Sequence, residues 1–361
     1  MQVSGQTEAV VLYELGQPLR LTTLSLPDLR PGQVLVDIAY SGVCHSQLLE
    51  VRGRRGPDPF LPHTLGHEAS GTVIEVGSGV TKVKPGGRVV LSWIKGSGAD
   101  VPSTVYQGPE GVIHSGAIGT FMRRTLTCEN RVTPIPDAMP LREGALLGCA
   151  LPTGAGIILN TARVRPGHSV AIFGVGGIGL SAVMAAHLMN ATPIIAVDVF
   201  DHKLDQARRL GATDVINARQ QDPLATILTI TRRRGVDCAI EAAGRRETME
   251  MAFQAVREGG GLCVLAGNLP HGQRISLDPF DLIKGKRIVG TWGGESLPDR
   301  DIPLYVDLYL AGRLKLDLLI THEYRLEEIN RAFEDLERGK VGRALINMAP
   351  QSTKWNEVSA P

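Results

Sequence analysis

The sequence predicts an α/β protein of two lobes, one built on a doubly wound parallel sheet and one β-rich. Three observations carry this. The chain has 361 residues, more than the roughly 250 to 300 that a single core usually organises. Short apolar strands alternate with amphipathic helices through its middle, and strand alternating with helix means a parallel sheet, because parallel strands need a crossover. Towards the amino terminus the text instead consists of short β-rich runs broken by Gly and Pro.

The elements follow in order. Residues 33–40 and 69–76 read as strands, bounded by turn signals at Pro31-Gly32 and Pro85-Gly86. Residues 92–119 are rich in Gly, Ser and Pro with no clear period, and are expected to form an irregular surface loop. Past Leu146 the character changes. Strands are expected at 170–173, 194–197, 238–241 and 262–266, with helices at 178–189 and 203–210 between them. Beyond Ile288 the pattern is mixed again, with helices near 303–311 and 326–338 and a last strand at 343–348. No repeat of solenoid type occurs.

Composition excludes several classes. An apolar share of 43% with 21% charged residues is that of a globular protein. Lys plus Arg (38) nearly cancel Asp plus Glu (37), so no bulk field draws the chain to nucleic acid or an anionic membrane. The run Arg232-Arg233-Arg234 reads as a solvated helix end. No apolar stretch of about 18 residues and no signal-peptide pattern occurs, so a cytoplasmic protein is expected. Five scattered cysteines argue against a disulfide framework and leave metal binding or burial.

Directly after the strand at 170–173 comes Gly174-Val175-Gly176-Gly177-Ile178-Gly179, running into a helix. At a strand-to-helix turn such glycines let the backbone approach a pyrophosphate, whose charge meets the helix amides and dipole. Gly174, Gly176, Gly177, Ile178 and Gly179 are therefore expected to bind a dinucleotide. The second strand ends in Asp198, placed to accept hydrogen bonds from an adenosine ribose. A carboxylate there repels a 2′-phosphate, and Val199 and Phe200 offer no arginine to receive one, which favours NAD over NADP.

Three further segments stand out: Gly42-Val43-Cys44-His45-Ser46, Gly66-His67-Glu68 and Leu147-Gly148-Cys149. Spacing alone leaves open whether these side chains are ligands or simply buried. Taken in this order with the glycine turn, they resemble the zinc-dependent, medium-chain alcohol dehydrogenase family, over nearly the whole chain through Gly293-Gly294 and Gly342-Arg343. The resemblance implies a Rossmann cofactor domain near residues 151–289, and a GroES-like catalytic domain from residues 1–150 and 290–361. It implies that Cys44, His67 and Cys149 hold one catalytic zinc, the Cys₂His set recorded for alcohol dehydrogenase. Hydride would then pass between an alcohol and NAD to give an aldehyde or ketone.

By the same resemblance Ser46 takes the proton of the bound alcohol, and Glu68 stands behind the ligands or briefly replaces the substrate. Thr153 and Lys203 match cofactor-contacting positions, Arg343 one that reaches the pyrophosphate, and His45 one that carries a basic residue near it. Trp93 and Ser115 are expected to line the substrate pocket. Ser115 and Gly116 are small, so a substrate larger than ethanol is expected. A homodimer or homotetramer is implied by analogy.

The sequence also departs from the family pattern. Residues 95–116 lack the four cysteines that hold a second, structural zinc in many relatives, so one zinc per chain is expected. Gln47 replaces a common Asp, and Leu49 stands where well-known relatives carry a histidine that passes the proton to solvent. Two other readings remain. One is a zinc-free, NADPH-dependent enone or quinone reductase of the same superfamily, against which the intact ligand set and Asp198 argue. The other is a non-catalytic nucleotide-binding sensor, since fold alone does not fix function.

Overall fold

The computed structural model describes residues 5–349. Its middle is a six-stranded parallel sheet in the order Asp214–Asn217, Ile194–Asp198, Val170–Phe173, Cys238–Glu241, Leu262–Leu265, Arg287–Gly290. In sequence terms this is 3-2-1-4-5-6, the doubly wound order whose direction reverses beside its first strand. Helices cover both faces. Ile172, Ile240 and Val264 are buried towards one layer, Ala171, Phe173 and Ile195 towards the other. Burial on both sides is why these strands read as continuous apolar runs with no alternation.

The rest is β-rich. Gln6–Leu12, Arg20–Ser25, Val105–Gly108, Gly111–His114 and His63–Thr64 close into a small barrel around Leu24, Tyr106, Ile113 and Met122. Beside it lies a seven-stranded sheet organised on one long strand, β1 (Gln33–Val43). The first half of β1 pairs with Arg124–Cys128. Its second half pairs with the closing strand Arg343–Asn347, and β2 (Glu68–Val76) runs along the other edge. The carboxy-terminal strand thus returns to the first lobe and sets Ala344 opposite Val43, next to the Cys44 segment.

Residues 92–119 are not the irregular loop expected of them. Val105–Gly108 and Gly111–His114 form a hairpin that completes the barrel, burying Tyr106 and Ile113 while their neighbours face solvent. Four-residue strands are too short to show a period. The loop before the hairpin is held by Glu129, whose carboxylate accepts the backbone N–H groups of Thr81, Lys82 and Ala99. Among the described residues no single helix is long and apolar enough to cross a membrane, and all five cysteines are free and buried.

Candidate active site

Three chain turns bring the expected ligands together. Cys44 follows β1 directly and stands at the N-cap of α1 (His45–Val51). His67 immediately precedes β2, after Gly66 at φ +94°, where an added Cβ would strike Thr120 and the backbone of Phe121. Cys149 caps α2 (Ala150–Gly156), which follows a short 3₁₀ turn. The two sulfurs and one His67 ring nitrogen lie within 4.8 Å of one another.

Electrostatics suit a cation there. Both sulfurs stand at helix N-termini, whose amides and dipoles favour thiolate. The Cys149 thiol donates to Cys44 and so holds the Cys44 thiol well below its usual range, against its own burial. That same bond, with burial, pushes Cys149 up. The His67 Nε2 is buried without a hydrogen-bond partner. A buried ring nitrogen with no partner beside two buried sulfurs is costly unless an ion completes it, and soft thiolates with imidazole suit zinc.

These residues open into a cleft of about 330 Å³ between the β-rich lobe and the parallel sheet. Ser46, Trp93, Ser115, Thr153 and Ile178 line it. Ser46 Oγ donates to Cys44 Sγ at 3.2 Å. Trp93 lies edge-on to His67 at 6.5 Å and to Trp292 at 5.0 Å between ring centroids. Thr153 Oγ1 is buried without a partner.

Glu68 and Arg343 lie behind this wall. Glu68 is fully buried, forms an ion pair with Arg343 and accepts the N–H of Ala150 at 3.3 Å. Arg343 donates to the Val43 carbonyl at 3.0 Å, and its side chain packs on Gly177 of the glycine turn. One buried pair therefore ties both cysteine segments and the glycine turn to the last strand. His45 is exposed on the first turn of α1.

The glycine turn itself sits where the sheet order reverses. Gly174 has φ +86°, and a Cβ there would meet the Ala243 backbone within 2.8 Å. Nothing lies within 4 Å of a Cβ built on Gly176, so that backbone is open to a ligand. Asp198 accepts the N–H groups of Val175 at 2.9 Å and Val199 at 2.7 Å, closing the turn from the second strand. Partial burial lowers the Lys203 ammonium pKa, and its charge lies over the Phe200 ring.

Comparison with known proteins agrees with this construction. Residues 30–137 match the family described as alcohol dehydrogenase GroES-like domain, and residues 177–311 match zinc-binding dehydrogenase. The S-(hydroxymethyl)glutathione dehydrogenase of Synechocystis sp. is 33% identical, over 95% of this chain and 100% of the relative.

The chain belongs to the zinc-dependent medium-chain alcohol dehydrogenase family. Among solved structures, benzyl alcohol dehydrogenase from Acinetobacter calcoaceticus is 32% identical with a TM-score of 0.87, over 96% of this chain and all of that one. An alcohol dehydrogenase from Aeropyrum pernix is 30% identical with a TM-score of 0.80, over 94% of this chain and all of that one. This dehydrogenase thus joins a GroES-like catalytic domain to a Rossmann cofactor domain and is a zinc-type alcohol oxidoreductase.

Sequence reasoning missed part of this dehydrogenase's cleft. Glu50, Arg55, Phe60 and His63 line it from the segment after α1, and Asn268 and Trp292 from the cofactor domain. Glu50 stands four residues past Ser46, a helical spacing that was legible; for His63 no local signal existed.

Proposed function

We propose that this dehydrogenase transfers hydride reversibly between NAD and primary or secondary alcohols larger than ethanol, with one zinc per chain held by Cys44, His67 and Cys149. The convergence of those three ligand atoms in a cleft faced by the glycine turn carries the reading. The metal, when bound, would supply the Lewis acidity that makes an alcohol O–H more acidic and polarises a carbonyl in reverse. Ser46 receives the alcohol's proton beside the ligands. Thr153 and Ile178 orient the nicotinamide, and Trp93, Trp292 and Phe60 give the substrate an aromatic wall. Ser115 leaves it room.

Gly174, Gly176, Gly177 and Gly179 receive the pyrophosphate, with His45 and Arg343 beside it. Asp198 and Lys203 take the adenosine ribose. The Asp198 carboxylate supports NAD. Arg219, which lies 5.0 Å over the Phe200 ring, is a nearby cation that the sequence reading overlooked. We place the division between the two lobes near residues 150 and 290. A homodimer formed through the exposed edge strand Arg287–Gly290 and a cytoplasmic, reducing setting for the five free cysteines complete the proposal.

The test is a panel of primary, secondary and polyol alcohols assayed with NAD and with NADP. The expected outcome is NAD-linked turnover, greater on longer or aromatic alcohols than on ethanol. A preference for NADP, or fastest turnover of ethanol, would overturn those parts of the reading.

A further inference from the structure

A group of ionisable residues outside the ligand set lies along the same cleft. His63 is 5% exposed, and both its ring nitrogens face acceptors: Nδ1 the Thr64 carbonyl at 2.8 Å, Nε2 an Asp58 carboxylate oxygen at 2.8 Å. Glu50 Oε1 lies 3.8 Å from the same Nε2, and its other oxygen meets Arg55 at 3.3 Å. The Asp58 side chain is 12% exposed, that of Glu50 25% and that of Arg55 55%, so the group grades from the protein interior to water. His114 pairs with His63 in register from the neighbouring strand.

The trio of Glu50, Asp58 and His63 is close enough to hold a cation, but it is built for something else. A carbonyl can only accept, so Nδ1 carries a hydrogen. Nε2 then either donates to the Asp58 carboxylate or accepts from a protonated Asp58. In the first state it presents no lone pair to a metal, and Arg55 adds a positive charge. A proton shared between imidazole and carboxylate is what this geometry accommodates.

Glu50 connects the trio to the reacting end. Ser46 and Glu50 are four residues apart on α1 (His45–Val51), so their side chains share one face about one turn apart, and both line the cleft. Leu49 is buried and apolar, so the residue before Glu50 can hold no proton.

We propose that Glu50 and the His63–Asp58 pair form the route by which the alcohol's proton leaves the cleft. This rests on the dehydrogenase reading above. Oxidation breaks one C–H and one O–H bond and forms the carbonyl. The hydride with its electron pair reduces the nicotinamide, and one proton remains. Ser46 Oγ accepts that proton as its own hydrogen passes to Glu50, directly or through one water. Glu50 exchanges it with the His63–Asp58 pair beside its Oε1 and releases it to solvent at its other oxygen, beside the exposed Arg55. In carbonyl reduction the same path runs inward.

The experiment compares wild type, Glu50→Gln and His63→Gln in alcohol oxidation across pH, with and without added imidazole, alongside NADH affinity and melting temperature. Expected is a loss of about tenfold or more in kcat, a changed pH profile, partial recovery with imidazole, and unchanged NADH binding. In the metal-free protein the His63 ring N–H resonances should shift on Glu50→Gln and on Asp58→Asn. Variants with wild-type kcat and pH profile, a loss appearing only in KM and not rescued, or ring resonances indifferent to both carboxylates would each overturn the route while leaving the dehydrogenase reading intact. A zinc-loaded wild type inert on every alcohol would overturn both.

Discussion

Among single residues, the Glu68–Arg343 pair is the one on which most of the site depends. Both side chains are buried, and burial lowers the Arg343 pKa, opposed by the nearby Cys44. Removing one charge of a buried pair leaves the other without compensation, at a cost of about 3–5 kcal/mol. Glu68→Gln is therefore expected to lower stability by an amount in that range, read as a shifted denaturant midpoint at unchanged slope, and to loosen the Arg343 contact with Gly177. A neutral effect would mean that the pair is not what joins the two cysteine segments to the glycine turn. Sequence placed Glu68 near the ligands and Arg343 near the pyrophosphate, both by resemblance. It could not show that they hold each other, since the contact spans 275 residues of chain and leaves no local pattern.

Elements were legible in proportion to how locally they are determined. The strand at Val170–Phe173 lies where its apolar run and the following glycines put it, because both signals sit within ten residues. The helix expected at 303–311 begins earlier, at Pro298, and Pro303 lies inside its first turns. As the sixth helical residue Pro303 forgoes the bond its N–H would make to the Asp299 carbonyl, yet the helix runs through it, so a start at Pro303 sets the boundary too late. The 105–114 hairpin was invisible because barrel closure, and not periodicity, makes it.

Elements are also joined by charge. Asp237, just before the fourth strand of the parallel sheet, accepts from the Ser169 N–H and hydroxyl and from Arg257. Burial opposes its ionisation, but these bonds prevail and bring its pKa down to about 2. A carboxylate depressed in the folded state adds stability above its unfolded pKa of about 3.9, and that stability is lost as pH falls towards 2. Partial exposure screens the pair, so about 1 kcal/mol is expected. Asp237→Asn should lower stability by that much at neutral pH and by nothing near pH 1, below both pKa values, in urea melts at both. An equal loss at both would contradict the linkage.

For the whole molecule, the fold was readable because two independent signals converge, a glycine turn at a switch point and three ligand segments in family order. The cleft's character was less readable. Its aromatic and charged walls come from segments around residues 50–63 and 268–292 that are far apart in the chain and meet only in the folded cleft. In the function proposed above, the β-rich lobe supplies the ligand set and the proton's first acceptor, and the parallel sheet supplies the cofactor turn. Neither is complete alone.

In the proposed function one zinc, held by Cys44, His67 and Cys149, supports NAD-linked alcohol oxidation. The most direct measurement is metal content per chain in wild type and in Cys149→Ser, with NADH formation followed as zinc is returned to the metal-free protein. Expected are about one zinc per wild-type chain, activity rising in step with zinc up to that ratio, and neither metal nor turnover in the variant. Full activity without metal, or a variant that keeps both, would contradict it.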